Sequence, residues 1–140
     1  MIEIALNENQ SGVLQKDIAK NQQLSEKYLD QIIASLKVSG LIVNAGGKKS
    51  GYILNKPLSE IKIYDIYRSF EPELSIIHCV NRPVTCFVSR ICVANEYWMG
   101  LNNMITNYLE STTLEDIIKK HKKIKKVIGK ENATIGRCKI

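Results

Sequence analysis

The 140-residue chain has no apolar run long enough to cross a bilayer. Residues 1–20 are broken by Glu3, Glu8, Lys16 and Asp17, which excludes a secretory signal and leads to the expectation of a cytoplasmic protein with no membrane partner. There is no internal repeat and no second segment that would build a separate core. Catalytic constellations are missing as well: no Gly-rich phosphate loop, no paired acids at an explicable spacing, no Ser-His-Asp arrangement. An enzyme is therefore not expected. What is present is 44% hydrophobic and 24% charged, close to globular averages, which argues against disorder and against fibrous architectures. A chain of this size hides roughly two-thirds of its unfolded surface on folding, enough for a real core.

Charge is unevenly placed. Twenty basic against fourteen acidic residues give +6, but positions 119–140 hold nine of the bases and one acid. Residues 1–118 therefore carry 11 bases against 13 acids, a net −2, and the basic total says little about the folded body. Four cysteines stand at 79, 86, 92 and 138, three of them within fourteen residues. Without an export signal, such a cluster suggests metal or redox chemistry before disulfides.

Residues 1–8 read as the end of a helix, followed by a polar turn, and a short helix runs from Gln15 to Asn21 with Ile18 and Ala19 inward. Ser25 is placed to cap a longer helix whose stripe is Tyr28, Leu29, Ile32, Ile33 and Leu36, ended by Gly40. The period then changes, and 41–44 and 51–55 look like two strands joined by a turn carrying Lys48 and Lys49. A helix near 63–70, a cysteine-bearing loop, a long helix over 96–110 and a last helix capped by Thr113 complete the pattern. This order predicts a mainly α fold: a winged helix-turn-helix with a two-stranded wing and a long C-terminal helix. Four regions follow within one compact domain: 1–70 as the winged helix-turn-helix, 71–95 as a cysteine-containing loop, 96–128 as the long helix and the C-terminal helix, and 129–140 as a disordered tail, with DNA reading, sensing and dimerisation assigned to the first three by the family resemblance described below.

In a winged helix-turn-helix the capped helix enters the major groove with its N-terminal residues toward base edges. Ser25, Glu26, Lys27 and Asp30 would then face outward, with Tyr28 and Gln31 within reach of phosphate or base. Lys48 and Lys49 can approach phosphates from the wing. The bland alternatives are a three-helix domain with a solvated polar face and a turn made soluble by two lysines. His121, among lysines, reads as solvated.

The segments LSEKYLDQIIASLKVSGLIV, SGYIL and LSEIKIYDIYRSFE, the cysteine run, and the later EYW and TTLEDI together resemble the IscR, NsrR and CymR (Rrf) family of bacterial winged-helix regulators. The match covers nearly all of residues 1–118. Members of that family usually begin earlier, so Met1 reads as a late start or a truncation. The resemblance implies a transcriptional regulator, and a repressor of palindromic operators in double-stranded DNA. It also implies a two-fold dimer through the helix stripe Trp98, Leu101, Ile105 and Leu109, and an iron-sulfur cluster, 2Fe-2S or 4Fe-4S, on Cys79, Cys86 and Cys92. Thiolates are the soft donors such clusters need.

Four departures from the family pattern stand out. The first cysteine gap is six residues where five is common; Asn95 occupies the place of a histidine ligand found in some relatives; Gly46 aligns with a wing arginine; and Asp30 replaces a glutamate that can govern target choice. His78, Glu96 or an acid from the partner are the alternatives for a fourth ligand. Unligated thiols or a cluster-free thiol or small-molecule switch are the competing readings of the loop. A cluster- or metal-carrying interaction protein that no longer reads DNA is the rival for the whole chain.

Overall fold

The computed structural model describes residues 1–7, 11–46, 50–77 and 91–128. Its elements in chain order are α1 (Ile2–Leu6), α2 (Gln15–Gln22), α3 (Glu26–Val38), β1 (Ile42–Asn44), β2 (Tyr52–Leu54), α4 (Ile63–Arg68), α5 (Val93–Ser111) and α6 (Leu114–Ile128). The expected winged helix-turn-helix with a long C-terminal helix is the fold.

Local chemistry sets the ends of α3. The Ser25 hydroxyl oxygen accepts the Tyr28 amide proton at 3.2 Å, satisfying one donor of the first turn. At the other end Gly40 adopts φ +68°, and the Leu41 and Gly40 amides bond back to the carbonyls of Leu36 and Lys37, both at 3.0 Å. That paired closure needs a left-handed residue, which glycine supplies at least cost. Ser25→Ala should lower unfolding stability by about 1 kcal/mol, measured as a shift in the urea midpoint.

The wing is antiparallel, with Ile42 opposite Leu54, Val43 opposite Ile53 and Asn44 opposite Tyr52. Its second strand is also paired on the far side: Val13 exchanges backbone bonds with Tyr52 at 3.0 and 2.8 Å, and the Gly51 amide reaches the Ser11 carbonyl at 2.8 Å. Residues 11–13 thereby tie the wing to the start of α2.

Leu29, Ile33 and Leu36 of α3 pack with Ile18 and Ala19 of α2, Ile4 of α1, Leu41 and Ile42 at the wing, Ile61, and Leu114 and Ile118 of α6 in one core. Tyr28 leaves the expected stripe and is 55% exposed, because the core-facing arc is filled by the aliphatic positions on either side. The last helix is drawn back onto the domain by bonds from Ile63 N to Thr112 O (2.9 Å) and from Leu114 N to Ile61 O (2.8 Å). Thr113 does cap α6. Its hydroxyl and amide both donate to the Asp116 carboxylate, at 2.7 and 3.0 Å, and hold that carboxyl below its ordinary range.

Beyond shifts of one or two residues at the ends of α1, α2, the strands and the C-terminus of α5, two boundary differences bear on the sensor region. α4 stops at Arg68 rather than Phe70: Ser69 and Phe70 form a turn, and Pro72 disfavours helix at Glu71. α5 begins at Val93 rather than Glu96, with Cys92 as its N-cap, so residues 93–95 of the expected sensor loop are helical. At 19 residues it is about 28 Å long.

Candidate nucleic-acid interface and sensor helix

On α3, the predicted outward residues Glu26, Lys27, Tyr28, Asp30 and Gln31 are all exposed, as is Ser25. Ser25 has a prior task, since its oxygen already holds the Tyr28 amide. Asp30 is not a free carboxylate. It accepts from the Gln15 side-chain amide at 2.5 Å, and the Gln15 carbonyl oxygen accepts from the Tyr52 hydroxyl at 3.1 Å. The wing, the first helix of the reading pair and the reading helix are thus joined by one chain of side-chain bonds. The Lys37 ammonium lies 6.0 Å from the Tyr52 ring centre, adding a cation over the aromatic face. Gln15 and Tyr52 were not among the predicted site residues. Partners 15 and 37 positions apart leave no trace in helical or strand spacing. Lys48 and Lys49 lie outside the described residues.

Cys79 and Cys86, and the alternative ligand His78, also lie outside the described residues. Cys92 is a half-buried free thiol at the N-terminus of α5. One turn on, Asn95 is buried, with its amide oxygen unpartnered among the described residues. Glu96 is exposed. Among the described residues no three His, Cys, Asp or Glu side chains converge to hold a metal. The donor at Cys92 suits a soft metal centre, whereas the Asn95 amide is a poor iron ligand despite its family position. Farther along α5, the buried Asn102 accepts from the Ile76 amide at 3.2 Å. This fastens the segment leading into the cysteines to the middle of the helix.

Trp98, Leu101, Ile105 and Leu109 are half-buried rather than open, as α5 lies against α4. The fully open apolar row is the neighbouring one: Val93 (85% exposed), Tyr97 (68%), Met104 (63%) and Tyr108 (66%). Along this row runs a shallow groove of about 490 Å³ lined by Val93, Glu96, Tyr97, Gly100, Leu101 and Met104. Tyr97 meets Trp98 edge to face at 5.3 Å, which links the two rows.

His121 is only partly solvated. It is half-buried with its Nε2 enclosed and unpartnered among the described residues, because α6 turns that face toward α1. No helix among the described residues is long and apolar enough to cross a membrane.

A family model described as "Rrf2: Iron-dependent Transcriptional regulator" matches residues 1–120. The HTH-type transcriptional regulator IscR of Pectobacterium carotovorum subsp. carotovorum (strain PC1) is 27% identical over 137 residues, 98% of this chain and 82% of that protein. The solved structure of CymR, described as the global cysteine regulator of B. subtilis, has a TM-score of 0.68 and 29% identity, covering 84% of this chain and 86% of that one. T. potens IscR gives 0.60 and 31%, covering 87% and 75%.

Proposed function

Because the chain belongs to the Rrf2 family of transcriptional regulators, we propose that it is a homodimeric repressor of palindromic DNA whose affinity is set by the state of Cys79, Cys86 and Cys92. Its relatives are regulators, not enzymes. The observation that carries the DNA reading is the exposed polar start of α3, braced through Gln15 to the wing at Tyr52. Glu26, Lys27, Tyr28 and Gln31 face the groove, while Asp30 serves first to hold the helix in register with α2. Lys48 and Lys49 add attraction to phosphate as point charges, without the planar fork of arginine.

The division of labour follows the chain. Residues 1–70 read DNA, the cysteine segment senses, and α5 pairs two copies through Val93, Tyr97, Met104 and Tyr108, with Leu101 at the edge. Two-fold pairing presents one α3 to each half-site. Cys79, Cys86 and Cys92 would hold an iron-sulfur cluster, which when bound supplies a centre sensitive to iron-sulfur supply, nitric oxide or oxidation. Cys92 caps α5, and Asn102 ties the approach to the cysteine segment at Ile76 onto the same helix. A change in how the cysteines are held therefore bears directly on the dimer helix, and through it on the separation of the reading helices.

A second reading has its own support: the structural neighbour CymR is described as a cysteine regulator, and Asn95 offers iron no good donor. In that reading the same thiols respond without a cluster.

Electrophoretic shifts on duplex DNA from upstream of the protein's own gene, at two salt concentrations, test the DNA claim. A discrete complex that weakens as salt rises is expected. No complex at low salt would favour the interaction-protein alternative.

A further inference from the structure

Helix α6 carries six lysines in eight positions, Lys119, Lys120, Lys122, Lys123, Lys125 and Lys126, all exposed. Lys119 is paired with Glu115 at 3.0 Å, one turn earlier. The acids of the helix, Glu115 and Asp116, sit in its first turn, so its second half is uniformly cationic. This is the opposite of the body, whose residues 1–118 net −2.

The placement of this charge is informative. His121 and Lys125 line an open cleft of about 790 Å³ together with Gly12, Val13, Leu14 and the carboxylate residues Glu3 and Asp17. Gly12, Val13, Leu14 and Asp17 lead from the strand-like segment beside the wing into α2. The cationic half of α6 thus adjoins the helix-turn-helix. Eight helical residues span about 12 Å, and duplex DNA presents roughly seven phosphate charges over that length of its axis.

We propose that the second half of α6 is an additional phosphate-binding surface that grips duplex DNA beside the half-site read by α3. The proposal rests on the DNA-binding reading above and extends it to a sequence-independent contact outside the winged unit. A basic amphipathic helix can also lie on an anionic membrane. Here that use is disfavoured, because much of the apolar face is already spent: Leu114 and Ile118 are in the core and His121 is half-buried, leaving, among the described side chains, Ile124 and Val127 as the large apolar residues exposed on the helix.

The test titrates a random-sequence 60-base-pair duplex with the full-length protein by fluorescence anisotropy over a range of salt concentrations. The quadruple variant Lys122→Gln, Lys123→Gln, Lys125→Gln, Lys126→Gln should bind at least ten-fold more weakly at low salt, with a salt slope shallower by about two to four. The matching four Lys→Arg changes should restore both. Circular dichroism equal to wild type establishes that the glutamine variant is folded; if it is not, the same comparison is made with Lys123→Gln alone, whose slope should fall by about one. Wild-type affinity and slope in a folded glutamine variant would overturn the proposal while leaving DNA reading by α3 intact. Wild-type protein that binds no duplex at any salt would overturn both. Sedimentation with phosphatidylglycerol vesicles that is lost in the glutamine variant, with duplex binding unchanged, would assign the surface to membranes instead.

Discussion

Met104→Asp should leave a folded protein that sediments as a monomer and binds palindromic DNA about two orders of magnitude more weakly. Met104 is 63% exposed in the single chain, so the substitution removes little from the protomer's own core. Across a two-fold axis, however, each aspartate enters an apolar contact and is met by its own copy, so desolvation and repulsion are counted twice. The affinity follows because a monomer loses the second half-site, whose effective concentration came only from the tether of the dimer. Leu101→Asp should also disrupt pairing, but Leu101 is half-buried and its loss is felt by the protomer too. Sedimentation velocity separates the two cases. An intact Met104→Asp dimer would move the interface off the open row of α5.

Gly51→Ala should be the most damaging single change within the reading unit. A methyl group there would lie 2.3–2.5 Å from the backbone carbon, oxygen and nitrogen of Val13. Backbone cannot swing aside as a side-chain tip can, so the strand must withdraw from residues 11–13 and surrender the bonds that Gly51 and Tyr52 make there. The expected cost is about 3 kcal/mol or more, roughly a 10 °C fall in Tm for a domain of this size. DNA affinity should fall in parallel, since Tyr52 holds Gln15 and Gln15 holds Asp30. A melting temperature within about 2 °C of wild type would show that the approach of wing and residues 11–13 is not needed.

How much of this was legible beforehand depends on the range of the interaction. Ser25, Gly40 and Thr113 act on their own helix ends, and each was identified from a residue type beside a periodic run. The wing was legible from the change of period after Gly40. On α5 the spacing admits two faces. Trp98, Leu101, Ile105 and Leu109 make a helical stripe, but Val93, Tyr97, Met104 and Tyr108 make another one residue round. Spacing identifies apolar faces without saying which one meets a second copy; the protomer half-buries the first row and leaves the second open, and sedimentation of the Met104→Asp and Leu101→Asp variants separates them. The tie from Tyr52 through Gln15 to Asp30 was hidden for a similar reason, since it exists only once three separate elements have been packed together. His121 looked solvated from its lysine neighbours, whereas helical geometry places it on the face shared with Ile118 and turned toward the body.

On the proposed function, three cysteines ahead of and at the start of α5 form the sensor of a DNA-binding dimer. Its most direct test is the visible absorption spectrum of protein purified without oxygen and reconstituted with iron and sulfide, recorded for wild type and for single Cys→Ala variants. Thiolate-to-iron absorption is expected in wild type, with its loss in Cys79→Ala, Cys86→Ala and Cys92→Ala alike and its retention in Cys138→Ala, a position beyond α5 and the lysine-rich segment. A wild-type protein that stays colourless after reconstitution yet binds its DNA fully would contradict the cluster and leave the thiols as the switch.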